Sequence, residues 1–255
     1  MSESDKEQPV SSSQGYSAER PKVEVRPTAD GSATLFVPAL GEHYHSQHGA
    51  RQESAHVFIE AGLQPLLQPG FDAQRPLRIL EIGLGTGLNA LLTLEASAPS
   101  AVPIEYDGLE TYPLPPAVVA ALQLNWDQVG PDLKTQFAAL HAAAWNTPVM
   151  LRPGFVLTKR HEALQAAALR PAYYDLIYFD AFAPEKQPEL WTEAIFAQLY
   201  HAAVPGAVLV SYCAQGQFRR NLRAAGWHTE RLPGPPGKRE MTRAAKGCEG
   251  VRVGG

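Results

Sequence analysis

The chain has 255 residues, of which 45% are apolar and 19% charged, with a formal net charge of −4, an ordinary composition for a globular protein. No stretch approaches the ~20 apolar residues of a membrane span, and the polar start MSESDKEQPVSSSQG lacks the basic and apolar regions of a secretory signal. Cys213 and Cys248 are too few and too far apart for a disulfide framework or a zinc site, so a reducing cytoplasm is the expected setting.

Residues 1–20 are dominated by Ser, Gln and Glu and are expected to be a disordered tail. Val23–Val25 and Ala33–Val37 flank Asp30-Gly31, which predicts a β-hairpin. In EHYHSQHGARQESAHVFIEAGL (42–63), Ala55, Val57, Phe58, Ile59 and Leu63 predict a helix ending at Gly62. Its four histidines, His43, His45, His48 and His56, form no i,i+4 pair with an acid beside it, so no metal site is expected.

From Pro76 onward strands and helices alternate. Strands are predicted at Leu77–Ile82, Ile104–Leu109, Phe155–Thr158, Leu176–Phe179, Ala207–Tyr212 and Trp227–Arg231. Helices are predicted at Leu88–Ala96, Ala117–Leu124, Glu162–Leu169, Glu189–Ala202 and Phe218–Ala225. Strands separated by single helices imply an α/β fold with a mainly parallel sheet covered on both faces. Residues 127–154 break the rhythm and read as an insertion with some helix. The expected organisation is one domain over 21–246, with a second tail at 247–255.

LRILEIGLGTGLNALL (77–92) carries the strongest local signal. An apolar strand runs through Glu81 into Gly83-Leu84-Gly85-Thr86-Gly87 and directly into a helix, whose first N–H groups are open to a ligand. A pyrophosphate loop spaces its glycines G-x-G-x-x-G, whereas here they fall G-x-G-x-G. A carboxylate at Glu81 repels pyrophosphate and suits a cationic ligand bearing an amino acid. Glu110, followed by Thr111, ends the next strand, where a carboxylate can accept both hydroxyls of a ribose.

Asp180 ends a third apolar strand, in YFDAFAPEKQPELW (178–191), just before Pro184 and Pro188. A carboxylate there costs desolvation energy unless something occupies it. A turn-capping role ahead of Pro184 is the bland alternative. Charge is also unevenly placed: Ser211–Gly255 carries nine Lys or Arg against three Glu, a segment charge of +6, and the rest of the chain is −10. A basic block on an acidic body suggests an anionic partner or a solvated basic face.

The E-x-G-x-G-x-G run plus a strand-end acid resembles the class I methyltransferases that use S-adenosylmethionine (SAM). More narrowly, HYHSQHGARQESAHVF (43–58), FDAFAPEKQPELW (179–191) and GPPGKREMTRA (234–244) resemble the signatures of the MnmC-type tRNA methyltransferases, termed MnmD in single-domain form. The resemblance spans about residues 30–245. It implies a Rossmann-like fold with a seven-stranded sheet and the N-terminal hairpin. It also implies methyl transfer to the amine of 5-aminomethyl-2-thiouridine at the tRNA wobble position, giving 5-methylaminomethyl-2-thiouridine. Asp180 is then the catalytic acid that orients the amine and accepts or relays its proton.

The resemblance assigns SAM to Tyr44, Glu81, Gly83, Leu84, Gly85, Thr86, Gly87, Asn89, Glu110 and Thr111. It assigns the tRNA anticodon region to Phe182, against uracil, and to Lys238 and Arg239, against phosphate or the pocket loop. No metal and no flavin are expected, because two-domain relatives place flavin in a further oxidoreductase domain for which 255 residues leave no room. Separate enzymes would then supply the aminomethyl uridine. One departure stands out: Lys159 and Arg160 occupy the place of an acid that can reach the adenine amine, leaving Glu162 or backbone groups to do so. Two rival readings remain, an aminopropyltransferase of the spermidine synthase kind and a non-catalytic RNA-binding protein on a relict SAM fold. Glu81 and the glycine spacing disfavour an NAD-dependent oxidoreductase.

Overall fold

A computed structural model describes residues 21–68, 75–122 and 133–247. The two expected tails, apart from Gly247, and the first part of the expected insertion lie outside the described residues. Strands β1 (Glu24–Pro27), β2 (Ala33–Val37) and β3 (Glu42–His43) form a small antiparallel sheet. The predicted hairpin is its first pair, and its turn is held by Asp30, whose Oδ1 accepts from the Thr28 hydroxyl and the Ser32 backbone N–H.

The next helix, α1, is α-helical over Ala50–Ser54 and continues as a wider π-helix over Ala55–Leu63. It does not stop at Gly62. That glycine instead lets the helix lie against the main sheet: a Cβ there would meet Val210 at 3.0 Å and Tyr178 at 3.4 Å.

The main sheet contains β4 (Leu77–Ile82), β5 (Ile104–Leu109), β6 (Pro148–Arg152), β7 (Phe155–Arg160), β8 (Tyr174–Phe179), β9 (Ala203–Ser211), β10 (His228–Pro233) and β11 (Glu240–Ala245). Its order is β10-β11-β9-β8-β4-β5-β7-β6, with β9-β8-β4-β5-β7 parallel. The seven-stranded expectation corresponds to all but the edge strand β6, which pairs antiparallel with β7. Helices α2 (Leu88–Ala96), α3 (Pro116–Ala121), α4 (Leu133–Ala142), α5 (Glu193–Ala202) and α6 (Gly216–Ala224) complete the described elements used below.

Two apolar layers flank the sheet because its central strands are buried on both faces. Phe58, Leu91, Leu140, Tyr106 and Tyr178 fill one side; Phe179, Trp191, Phe196, Phe218 and Trp227 fill the other. Along β8, Leu176 and Tyr178 face the first layer while Ile177 and Phe179 face the second, the two-residue period of a strand.

Several elements differ from expectation. Glu162–Leu169 forms only a 3-10 turn at Leu164–Ala166. An eight-residue segment is too short to hold a helix by itself, and Gln198 takes up its carbonyls at Leu164 (3.0 Å) and Ala167 (3.1 Å). The predicted 189–202 helix begins at Glu193, after a 3-10 turn and a Thr192 N-cap that accepts from Ile195 N–H. The insertion supplies α4 and β6, and the closing motif supplies β11.

Candidate functional site

Strand order reverses on either side of β4, since β5 lies to one side and β8 to the other. Such a switch point opens a crevice beyond the carboxyl ends of the strands. A cavity of about 480 Å³ lies there, lined from β3, α1, the loops after β4, β5 and β8, and the β10–β11 turn.

The loop after β4 forms its wall with three left-handed glycines, Gly83 (φ 87°), Gly85 (φ 51°) and Gly87 (φ 73°). Each is also a close approach. A Cβ on Gly83 would sit 2.7 Å from the Asp180 carbonyl, on Gly85 3.0 Å from the Tyr44 ring, and on Gly87 2.7 Å from Leu140. Helix α4 braces this loop a second time, because His141 Nε2 donates to the Thr86 carbonyl at 3.1 Å. Burial holds His141 down at about 4, so its ring stays neutral at ordinary pH. Nothing in the sequence announces this brace, since α4 lies in the segment read as an insertion.

Glu110 stands beside the loop with both oxygens fixed by backbone donors: Gly85 N–H to Oε2 at 2.9 Å and Tyr112 N–H to Oε1 at 2.8 Å. Burial raises its proton affinity, and these backbone bonds pull against that. Lone pairs remain on both oxygens for a ligand's hydroxyls. Thr86 Oγ1 and Asn89 Oδ1 are buried with no protein partner in hydrogen-bonding reach.

Asp180 faces the same cavity from the end of β8. Its Oδ2 accepts from Asn89 Nδ2 at 2.8 Å, and Asn89 also donates to Glu81 Oε1 at 2.8 Å. Burial pushes the Asp180 carboxyl up to about 7; the Asn89 bond opposes that, the Glu53 charge adds to it and Lys238 opposes it.

Glu81 is fully buried, with Oε2 accepting from the Tyr106 hydroxyl at 2.8 Å. Burial, helped by the neighbouring Asp180 charge, holds its proton affinity well above the carboxylate range. It therefore lies behind the cavity, not on its wall, and reaches it only through Asn89.

Tyr44, Gly83, Leu84, Gly85, Thr86, Asn89, Glu110, Thr111, Asp180, Phe182 and Lys238 all line the cavity. Glu81, Gly87 and Arg239 do not. Gly87 is turned toward Leu140, and Arg239 is exposed at the β10–β11 turn. Phe182 packs edge-on to Tyr44 with ring centres 5.0 Å apart. Its loop is pinned by Trp191 Nε1 donating to the Phe182 carbonyl at 2.8 Å and by Phe182 N–H donating to Gln187 Oε1 at 3.0 Å.

Lys159 points away, buried against Trp145 with Nζ donating to the His141 carbonyl at 2.8 Å. Burial lowers its proton affinity to about 8. Arg160 pairs with Glu162, and Glu162 lines the cavity, so the acid on this wall comes from the position two residues later.

The basic C-terminal block divides between paired and exposed cations. Arg219 pairs with Glu240, Arg243 with Glu230 and Lys238 with Glu53, while Lys246 Nζ donates to the Tyr200 and Ala203 carbonyls. Arg220, Arg223, Arg231 and Arg239 are exposed, and Arg252 lies outside the described residues. The four histidines of 43–56 are spread apart in use: His45 sits against Thr34, and His56 bonds the Pro233 carbonyl. Among the described residues no group of three or more His, Cys, Asp or Glu is arranged to hold a metal, and no helix is long and apolar enough to cross a membrane.

The donor set fits SAM. Glycines leave the loop open where a Cβ would intrude, Glu110 offers acceptors, and Lys238 is the one Lys or Arg among the described cavity residues, against Glu42, Glu53, Glu110, Glu162, Asp180 and Glu189. That balance favours a cationic ligand.

Comparison with known proteins agrees with this geometry. Residues 154–247 match the family described as S-adenosyl-L-methionine-dependent methyltransferase. The bifunctional tRNA 5-methylaminomethyl-2-thiouridine biosynthesis protein MnmC of Magnetococcus marinus is 35% identical over 222 residues, 82% of this chain and 32% of that protein. The chain spans about a third of the curated relatives it matches. The crystal structure of MNMC2 from Aquifex aeolicus aligns with TM-score 0.70 and 24% identity, covering 91% of this chain and 73% of that one. A spermidine synthase in complex with a transition-state analogue aligns with TM-score 0.56 and 16% identity, covering 91% of this chain and 72% of that one, which shows a shared fold.

Proposed function

We propose that this chain, which belongs to the S-adenosyl-L-methionine-dependent methyltransferase family and is of the MnmC type, methylates the amine of 5-aminomethyl-2-thiouridine at the tRNA wobble position. The product is 5-methylaminomethyl-2-thiouridine. The observation that carries this reading is Asp180, an incompletely bonded carboxylate sharing one cavity with the glycine loop and Glu110.

Tyr44, the Gly83–Thr86 loop, Glu110 and Thr111 would hold SAM, with Glu81 fixing Asn89 from behind. Glu162 is the acid placed to read the adenine end. Bound SAM supplies an electrophilic methyl group on a sulfonium.

The remaining work belongs to the chain. A primary amine is mostly an ammonium at neutral pH and has no lone pair to donate. Asp180 pairs with that ammonium through its uncommitted oxygen, fixes its direction and takes one N–H proton. A carboxyl poised at about 7 is a stronger base than an ordinary aspartate while still ionised in part at neutral pH. Phe182, locked edge-on to Tyr44, offers a ring face for uracil. The reaction would take place in the cytoplasm, on tRNA whose aminomethyl group other enzymes have made.

Aminopropyl transfer shares the fold and needs acids for a polycationic substrate. Here Glu42, Glu53 and Glu162 are already paired with Lys186, Lys238 and Arg160, which leaves few acids for such a substrate.

The test is incubation with methyl-labelled SAM and tRNA from cells lacking this activity, followed by nucleoside analysis. Label in 5-methylaminomethyl-2-thiouridine, lost in Asp180→Asn, is the expected result. SAM binding without any transfer to tRNA would overturn the substrate, and a parallel arm with decarboxylated SAM and a diamine checks the rival.

A further inference from the structure

Glu53 and Lys238 are 185 positions apart in sequence and meet in the wall of the cavity, Nζ to Oε1 at 2.5 Å. Glu53 is buried, and its other oxygen accepts from Ser46 N–H at 2.7 Å. The Lys238 ammonium lies over the Tyr212 ring, 4.2 Å from its centre, which fixes the cation further. Tyr212 in turn donates its hydroxyl to the Ala181 carbonyl at 2.8 Å, next to Asp180. A carboxylate and an ammonium are thus clamped on two elements around the end of β8. Neither touches the Asp180 carboxylate by a hydrogen bond, so their influence on it is through charge.

From this juxtaposition we infer that Glu53 and Lys238 are positioning residues whose opposed charges, clamped against Tyr212, set the pH at which Asp180 takes the proton of the substrate amine. This rests on the proposed methyl transfer.

The groups facing Asp180 from each packed element are few. From β4 there is Glu81, whose proton affinity burial raises well above the carboxylate range and which reaches Asp180 through Asn89 of α2. From α1 there is Glu53, and from the segment after β3 His45, which burial holds down at about 4 and therefore uncharged. Tyr212, after β9, has its phenol pushed up by burial and stays neutral. From the β10–β11 turn there is Lys238. Glu110, after β5, and Glu42, of β3, line the same cavity, and of all these groups Glu53 and Lys238 are the two that act on Asp180 through charge, pushing it in opposite directions. Removing either leaves the other uncompensated in a site of low dielectric, where one charge shifts a neighbour's titration substantially.

The experiment is the pH dependence of kcat/KM for methyl transfer to tRNA in wild type, Lys238→Met, Lys238→Arg, Glu53→Gln and the Glu53→Gln/Lys238→Met double variant. The acid limb is expected to move to higher pH in Lys238→Met and to lower pH in Glu53→Gln, each by roughly half a unit or more, and back toward wild type in the double variant. Lys238→Arg keeps the cation and is expected to keep the wild-type limb. It carries the comparison with Lys238→Met if Glu53→Gln does not fold. A Lys238→Met variant with a raised KM for tRNA and an unmoved limb overturns the inference and makes Lys238 a phosphate contact. Should wild type transfer no methyl to tRNA, the proposed function fails first, and the Asp180 titration is then followed directly by carboxyl-carbon NMR in wild type and Lys238→Met, where an unmoved titration overturns the inference as well.

Discussion

Glu110 and Asp180 occupy equivalent places, each just past the end of a parallel strand and each facing one cavity, yet they are held in opposite ways. Glu110 has a backbone N–H on both oxygens, which pull against the rise in proton affinity that burial imposes and fix its geometry. Asp180 has one side-chain amide on one oxygen, and burial otherwise lifts its proton affinity to about 7. The difference teaches that backbone donors make a carboxylate a fixed acceptor, whereas a single amide in a dry setting leaves it able to exchange a proton.

The largest expected effect breaks the Asp180 half alone. Asp180→Asn retains the shape and the Asn89 contact but removes the base, so turnover is expected to fall on the order of a thousandfold. SAM affinity, measured by calorimetry on the same variant, is expected to change little. Equal loss of both would erase the distinction between the two acids.

Glu110→Ala tests the other half. It removes a charged acceptor from the ligand and frees the Gly85 and Tyr112 N–H groups, which costs about 1.5–3 kcal/mol and so roughly 10- to 100-fold in SAM affinity. Turnover at saturating SAM is expected to stay near wild type.

Asn89→Leu sharpens the comparison, because Asn89 is the only link between Asp180 and the buried Glu81 in the described hydrogen bonds. Losing the amide removes what opposes burial at Asp180, so the acid limb of the pH–rate profile is expected to move to higher pH. Stripping two carboxylates of a donor is also expected to cost about 1–3 kcal/mol in denaturant unfolding.

The smallest effect is on stability. A carboxyl whose folded affinity is raised binds its proton more tightly when folded, so its stabilising contribution is complete below the unfolded value near 4 and is lost as pH rises through about 7. Asp180→Asn is therefore expected to be more stable than wild type at pH 8, by about 1–2 kcal/mol after screening by cavity water, with little difference at pH 4. Thermal melts at the two pH values measure it.

Much of this site was legible in the chain. The apolar run into Gly83–Gly87 and α2, and the acids after β5 and β8, are local patterns, and local patterns fix which end of a strand a residue occupies. Glu81 shows the limit of such reading. Its place in the motif pointed to the ligand, but a strand side chain faces one layer or the other. This one faces Tyr106 and Asn89 in the buried layer.

The basic block likewise suggested an anionic partner or a solvated basic face. Arg219 and Arg243 pair with Glu240 and Glu230 of the same block, and Lys246 donates to two backbone carbonyls at the end of α5 and the start of β9. The helix expected at Glu162–Leu169 failed because good propensity over eight residues yields to the tertiary bonds from Gln198.

The sequence by itself determined the α/β order, the glycine loop and the strand-end acids Glu110 and Asp180, because periodicity and backbone freedom are properties of neighbouring residues. Only the tertiary structure decided that α4 braces the loop, that Glu81 stands behind Asn89 and that Glu53 meets Lys238. Those facts depend on burial and on which face a side chain takes, and, for the α4 brace and the Glu53–Lys238 pair, on partners brought together from distant segments.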